Sequence, residues 1–167
     1  MRKLILALLL ALCCVSTYAA NRGSMRVIAN TGISGMGGSL NRIAYRLGLG
    51  YAYPVSDVFF VEGDLVYASR GNEDIRMSYV ELPVTGVFKL GGICDVSVGP
   101  YAAVLLSGTQ TTSSKNHLDA GIQVGAQIHL PSFSLGVTYQ KGIFNCIRGT
   151  DMKNQGLHFS FGFALPY

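Results

Sequence analysis

The sequence is poor in charge and, beyond its N-terminal segment, has no long apolar run. Only 13% of its 167 residues are Asp, Glu, Lys or Arg, although the mean hydropathy is +0.35. No later stretch stays apolar for the about 20 residues that a membrane-spanning helix needs. No helical period is present there either. The hydrophobicity is therefore distributed by alternation, which predicts strands.

Motifs of several common chemistries are also absent. The glycine-rich segment 32–38 lacks the Gly-Lys-Ser/Thr ending of a phosphate-binding loop, and we interpret it as a flexible outer loop. His117, His129 and His158 have no metal-ligand spacing. The formal net charge is +4, and it falls to +2 without the two N-terminal basic residues, so no nucleic-acid footprint remains. We expect no metal, no cofactor and no nucleic-acid partner.

The N-terminus has the parts of a secretory signal peptide. A basic start and the apolar segment 4–12 are followed by Thr17-Tyr18-Ala19, whose first and last residues are small, as signal peptidase requires. We place the cleavage after Ala19. Residues 1–19 are then the signal peptide, and residues 20–167 form one mature domain.

Alternation of period two predicts eight strands in the mature chain. In the closing segment, Leu157 and the phenylalanines share one face, and His158, Ser160 and Gly162 share the other. Short connections alternate with longer polar ones, as in outer-membrane barrels with short periplasmic turns. We predict an all-β, eight-stranded antiparallel up-and-down transmembrane β-barrel with both termini in the periplasm. The predicted strands are 25–34, 43–54, 57–69, 76–90, 94–106, 118–130, 133–143 and 155–165.

Composition indicates which face of the strands is outside. A soluble lipocalin-like barrel shows the same alternation inverted, but its water-facing side would be rich in charge. Here the less apolar face is largely Gly, Ala, Ser and Thr, which suits a narrow eight-stranded interior. The large apolar face is therefore predicted to contact lipid between two aromatic girdles. The girdle residues are Tyr51, Tyr53, Phe59, Phe88, Phe133 and Tyr167 at the periplasmic end and Tyr45, Tyr67 and Tyr139 at the outer end.

Four cysteines are present, and Cys13 and Cys14 lie in the signal peptide. A lipoprotein signal at Cys13 or Cys14 is the alternative, although Leu12 before Cys13 is bulkier than such signals prefer. The remaining Cys94 and Cys146 would form a disulfide by default in an exported protein. The predicted topology separates them by an apolar band about 25 Å tall, whereas a disulfide needs α-carbons within about 7 Å. We predict that both are free.

Several charged and amide side chains face inward by parity, and buried charges must be paired. A tight turn at Val55-Ser56 would place Arg46 opposite or diagonal to Asp64, and the loop 70–75 would place Asp64 near Glu81, if neither hairpin carries a bulge. We predict a structural cluster of Arg46, Glu62, Asp64 and Glu81 that plugs the lumen and excludes a diffusion porin. A proton relay is the alternative role. The inward set is Arg26, Arg46, Glu62, Asp64, Glu81, Asp119, Gln123 and Gln127.

His158 and Ser160 raise the alternative of an enzyme. Some eight-stranded outer-membrane barrels are lipid A deacylases, whose His and Ser lie two apart on one strand and face lipid. Here the pair shares the face of Gly162 and Ala164, which is predicted to point into the lumen and offers no acidic partner. We therefore expect no enzymatic activity.

Short motifs, in order along the chain, resemble the PorT-like outer-membrane β-barrel domain family over most of the mature chain. The resemblance implies an outer-membrane barrel, and the members that give the family its name assist protein secretion across that membrane. Pro83 cannot donate to a sheet ladder and predicts a local irregularity. The motifs are Tyr53-Pro54-Val55-Ser56-Asp57, Val61-Glu62-Gly63-Asp64-Leu65-Val66-Tyr67 with Arg70-Gly71, the most specific element Tyr79-Val80-Glu81-Leu82-Pro83, Gly99-Pro100-Tyr101, and Asp119-Ala120-Gly121 with Gly125-Ala126.

The leading functional hypothesis is an integral outer-membrane protein with a structural or interaction role through its outer loops, 107–117 and 144–154. Lys115, Arg148 and Lys153 in these loops would contact lipopolysaccharide or other anionic outer-membrane lipid. Protein partners are expected at the outer loops or at the periplasmic rim. The alternatives are an accessory component of secretion, a lipid A-modifying enzyme and a soluble ligand-binding barrel.

Overall fold

The computed structural model describes residues 23–72, 75–108, 116–130, 133–147 and 151–163. They form eight antiparallel strands in a closed barrel, in which each strand pairs with its sequence neighbours and the first pairs with the last. The predicted all-β, eight-stranded up-and-down barrel is confirmed. None of the described residues forms a helix long and apolar enough to cross a membrane. The strands are β1 (Ser24–Met36), β2 (Arg42–Pro54), β3 (Phe59–Gly71), β4 (Arg76–Leu90), β5 (Cys94–Gly108), β6 (Leu118–His129), β7 (Phe133–Asn145) and β8 (Lys153–Phe163).

We call the two ends of the barrel outer and periplasmic after the orientation that the sequence predicts. Several strands extend further than predicted at the outer end. β1 continues through Met36, so most of the segment 32–38 is strand and the loop interpretation is wrong there. The turn begins at Gly37, whose φ of 66° lies in the left-handed region that favours glycine. β3 includes Arg70, which the sequence placed in a loop. The predicted cleavage site at Ala19 lies outside the described residues.

The large apolar side chains point away from the barrel axis. In β6, Val124 is 47% exposed, whereas Asp119 and Gln123 on the other face are buried. Phe159 and Phe161 of β8 are likewise exposed. The predicted orientation of the faces is therefore confirmed for the described strands.

Most of the predicted girdle residues fall near the two ends of this outward face, but Tyr139 is the middle residue of β7 and pairs with Val124, so its assignment to the outer girdle is wrong. At the outer end, the rings of Tyr45 and Tyr67 lie 6.2 Å apart, and at the periplasmic end those of Phe59 and Phe88 lie 4.6 Å apart. Tyr167 lies outside the described residues. The other described members border the outward face as expected of a barrel in a membrane; Phe59 and Phe133 are half-buried and the rest are exposed.

Close strand packing explains the small residues of the inward face. A Cβ atom at Gly48 would lie 2.2 Å from the carbonyl oxygen of Leu65 and 2.8 Å from the Cα of Val66. Such contacts require backbone shifts, so glycine is the residue that fits. On the outward face, a Cβ at Gly63 would meet nothing within 4 Å.

The hydrogen-bond ladder is interrupted around Pro83. The register of β3 and β4 runs to Gly63–Val84 and resumes at Val66–Glu81, which brackets the proline. Proline has no N–H to donate to the ladder, so the predicted irregularity is confirmed.

The two described cysteines lie at opposite ends of the barrel. Cys94 begins β5 at the end of the β4–β5 turn, and Cys146 follows β7 at the other end. Both are free thiols.

Candidate functional site

Hairpin register determines which charged side chains meet in the lumen. Between β2 and β3 the connection spans residues 55–58, longer than the predicted two-residue turn. Arg46 therefore pairs with Ala68, and Asp64 pairs with Gly50. The prediction that Arg46 lies opposite or diagonal to Asp64 is wrong, because the longer connection shifts the register.

Asp64 instead pairs with Arg26 of β1. The Nη2 atom of Arg26 lies 3.1 Å from Oδ1 of Asp64 and 2.5 Å from Oε2 of Glu62. Gly50 of β2 lies between them, since it pairs with Arg26 of β1 on one side and with Asp64 of β3 on the other. A Cβ atom at Gly50 would be 2.2 Å from Asp64 Oδ1 and 2.9 Å from Arg26 Nε. The missing side chain of Gly50 thus lets Arg26 reach across β2. We call Arg26, Glu62 and Asp64 the lower layer.

A second group of charges lies deeper in the barrel. Glu81 Oε2 is 3.3 Å from Nη2 of Arg46, and its other oxygen contacts Nη2 of Arg70. Arg70 Nη1 is 3.8 Å from Oδ2 of Asp119. Two cations and two anions from β2, β3, β4 and β6 therefore balance inside the barrel, as buried charges require. We call Arg46, Arg70, Glu81 and Asp119 the central layer.

Arg70 also connects the central layer to the opposite wall. It is 1% exposed, and it donates to Oε1 of Gln140 at 2.6 Å and to the hydroxyl of Tyr101 at 3.3 Å. Nε2 of Gln140 in turn donates to Oε1 of Gln123 at 2.8 Å. The sequence missed Arg70 because the predicted strand ended at residue 69, two residues before the end of β3. Its parity with Asp64 was the available signal.

His158 and Ser160 lie on the lumen side of β8. His158 is fully buried and Ser160 is half-buried, whereas Phe159 between them is exposed. Within the described part of the chain, neither ring nitrogen of His158 has a hydrogen-bond partner. The pair therefore does not face the lipid side, where a lipid A deacylase would need it.

An apolar cluster closes the outer end of the barrel above the central layer. Backbone hydrogen bonds hold its loop residues in place: Cys146 N donates to Met152 O at 2.7 Å, and Asn116 N donates to Cys146 O at 2.9 Å. These loop residues do not alternate, so period two offers no signal for their place in the cluster. We call it the outer cap; its residues are Met36, Ile75, Met77, Tyr79, Tyr101, Ala103, Cys146 and Ile147.

The periplasmic end carries one further pair, His129 Nε2 and Asp95 Oδ2, at 2.7 Å. Within the described ranges, no three His, Cys, Asp or Glu side chains form a group that could hold a metal ion. The lumen thus consists of a lower layer, a central layer and an outer cap, stacked along the axis.

A closed eight-stranded barrel with a lipid-facing outer surface is the architecture of small outer-membrane proteins. The chain matches the family model of the outer membrane protein β-barrel domain over residues 5–164. The chain belongs to this family. It is therefore an outer-membrane β-barrel, and its apolar outward face contacts lipid.

Solved structures agree with this fold. The crystal structure of Ail, the attachment invasion locus protein of Yersinia pestis, has a TM-score of 0.51 at 16% identity and covers 85% of this chain and 97% of its own. A second Ail crystal structure, in complex with the heparin analogue sucrose octasulfate, has a TM-score of 0.50 at 18% identity with the same coverage. A search of curated proteins finds no match.

Proposed function

We propose that the protein is a non-enzymatic, non-conducting barrel that binds an external partner through its outer end. The observation that carries this proposal is the filled lumen, in which the central layer is buried below the outer cap. Buried side chains fill the cross-section of the barrel and leave little space through which a solute could pass. The interior of an eight-stranded barrel is just wide enough for side chains to fill. Function then resides on the surfaces that the barrel presents, chiefly its outer loops.

The location of the polar groups also argues against an enzyme. His158 and Ser160 lie on the lumen side of β8. The carboxylates of Glu81 and Asp119 are already paired with arginine. Ion-pair networks of this kind stabilise a structure without catalysing a reaction. The charge cluster is therefore proposed as a structural plug.

An anionic sugar-bearing ligand is the partner we favour at the outer end. Ail, which shares the fold, was crystallised with the heparin analogue sucrose octasulfate. In this chain Lys115 and Arg148, which lie outside the described residues, belong to the predicted outer loops, and Lys153 begins β8. Cationic side chains there would attract sulfated glycans or lipopolysaccharide. The proposal includes export by the signal peptide 1–19 to the outer membrane of a Gram-negative cell, with both termini in the periplasm.

Conductance and binding measurements test this function together. The purified protein, shown to be folded by a gel shift on boiling, is inserted into planar bilayers and applied in parallel to immobilised heparin. We expect no stable conductance and salt-sensitive retention, with weaker retention when Lys115 and Arg148 are replaced by Gln. A steady ion current, or retention unchanged by salt, would refute the proposal.

An accessory role in secretion is the second candidate, and the segment Tyr79-Val80-Glu81-Leu82-Pro83 supports it by resembling the PorT-like family. Tyr79, Glu81 and Pro83 are all buried in the lumen. The motif thus serves the barrel interior, and it does not itself form a partner surface. A secretion defect on gene deletion, together with capture of large membrane partners from the unboiled fraction, would favour this candidate.

A further inference from the structure

Sulfur is concentrated at the outer end of the barrel. Of the five methionines in the chain, Met1 belongs to the predicted signal peptide, and Met25 lies near the periplasmic end of β1. Four of the six sulfur-containing side chains beyond residue 19 lie at the outer end. They are Met36, Met77, Met152 and Cys146.

Three of these side chains are buried together. Met36, Met77 and Cys146 all belong to the outer cap. Met152 is exposed at the edge of the cap, and its Cγ lies 3.8 Å from the position that a Cβ of Gly37 would take. Because Gly37 directly follows Met36, this fourth sulfur lies where the cap meets the surroundings.

Asn154 connects the three buried sulfurs. Met36 is its partner in the β1–β8 ladder. The backbone N–H of Asn154 donates to the sulfur of Cys146, and its Nδ2 atom donates to the hydroxyl of Tyr79 at 3.2 Å. That hydroxyl donates in turn to Sδ of Met77 at 3.0 Å. The sulfurs of β1, β4 and the β7–β8 connection therefore surround one residue.

This set of side chains has the ligand chemistry of a soft metal ion. Thioether and thiolate groups are soft ligands, and they select Cu(I) among the first-row metals. Histidine spacing excludes an imidazole site in this chain, but it does not bear on sulfur ligands. A methionine side chain has three rotatable bonds, so its sulfur can turn towards a common centre without backbone movement.

The charge of the surroundings selects a monovalent ion. One Cys146 thiolate and neutral thioethers balance a single positive charge. The central layer below the cap is already balanced, with two arginines against two carboxylates. A divalent ion would therefore leave an unpaired positive charge among apolar side chains, which is costly.

We propose that Met36, Met77 and Cys146 bind one monovalent soft metal ion, Cu(I). On binding, the S–H bond of Cys146 breaks, its sulfur bonds to the metal, and the proton leaves to solvent, so no oxidant or reductant is needed. Met152 is the exposed thioether that an entering ion meets first. The site goes beyond the proposed function, which requires no metal.

Metal binding by refolded residues 20–167 tests the site. Each variant is first shown to be folded by its gel shift on boiling. Cu(I) is then titrated without oxygen against a chromogenic Cu(I) chelator, and native mass spectrometry counts bound ions. The variants are Cys146→Ala, Met36→Leu and Met77→Leu, since leucine conserves the volume of methionine without its sulfur. Cys94→Ala and Met25→Leu, which remove sulfurs far from the cap, are the matched controls.

The wild type should gain the mass of one copper ion less one proton. Loss of an outer-shell partner weakens metal affinity by roughly 10–100-fold, and loss of a ligand should cost at least as much, so each methionine variant should bind at least about tenfold more weakly. Cys146→Ala should retain no ion against the chelator, and both controls should bind like the wild type. X-ray absorption of the bound copper should show only sulfur neighbours.

Four results would overturn the inference: no ion bound to the folded wild type, unchanged affinity in the methionine variants, an equal loss in a control, or nitrogen and oxygen neighbours around the copper. Tighter binding of Zn(II) than of Cu(I) would contradict the charge argument. Unfolding midpoints in urea separate ligand from packing roles. A methionine variant that binds weakly at a wild-type midpoint has lost a ligand, whereas weaker binding only in proportion to lost stability would assign the sulfurs to packing and refute the site.

Discussion

Replacing Arg70 by Met should strongly destabilise the barrel. Arg70 is 1% exposed and contacts Glu81, Asp119 and Gln140. Its removal leaves two buried carboxylates with only Arg46 as a cationic neighbour. Removing one partner of a buried pair typically costs about 3–5 kcal/mol. We expect a loss of that size in the free energy of unfolding.

Urea unfolding in lipid vesicles, followed by the gel shift of unboiled samples, measures this loss. Arg26→Met is the matched control, because the Arg26 side chain is 36% exposed and its removal admits water to the lower layer. We expect the control to lose about 1–2 kcal/mol. The double variant Arg70→Met/Asp119→Asn keeps Arg46 and Glu81 as a balanced pair, so it should recover about half of the loss. A loss below about 1 kcal/mol for Arg70→Met, or an equal loss for Arg26→Met, would refute the assignment of the central layer as the main polar support of the fold.

Three further changes test other parts of the structure. Gly48→Ala should lose about 1–3 kcal/mol of unfolding free energy, because its Cβ meets the β3 backbone, whereas Gly63→Ala should be neutral; equal effects in urea titrations would contradict the packing described. Val124→Lys, in the middle of the outward face of β6, should cost about 2–4 kcal/mol in vesicles, and an unchanged midpoint would mean that this face does not contact lipid. Burial raises the pKa of the Cys146 thiol to about 12, so at pH 8 it is protonated and should react with maleimide far more slowly than Cys94 in the folded protein. Mass spectrometry of labelled peptides decides the order, and faster labelling of Cys146 would show that the outer cap is open.

Alternation was sufficient to predict the strands and the direction of their faces. The inward position of Glu81, Asp119 and Gln123 follows from period two, because a lipid-facing wall does not accept these groups. Pro83 predicted the interrupted ladder for an equally local reason, the missing N–H. These features depend on neighbours in the sequence, and the sequence therefore contains them.

Pairing across the lumen could not be predicted in the same way. The partner of Asp64 depends on the length of the β2–β3 connection and on Gly50, which lets Arg26 pass. Arg70 belongs to the central layer because β3 extends two residues further, to Gly71, than its composition indicated. The outer cap depends on loop residues such as Ile75 and Ile147, whose positions are fixed by packing and not by period.

The central layer has a consequence for how the protein enters a bilayer. Its four charges come from β2, β3, β4 and β6, and the hydrogen bond from Arg70 to Gln140 joins residues 70 apart in the chain. Each of the hairpins β1–β2, β3–β4 and β5–β6 therefore carries an ion whose described partner lies on a strand outside that hairpin. Insertion must proceed with the whole ribbon nearly assembled, and a cell that makes this protein has to shelter the unfinished sheet until its last strand arrives.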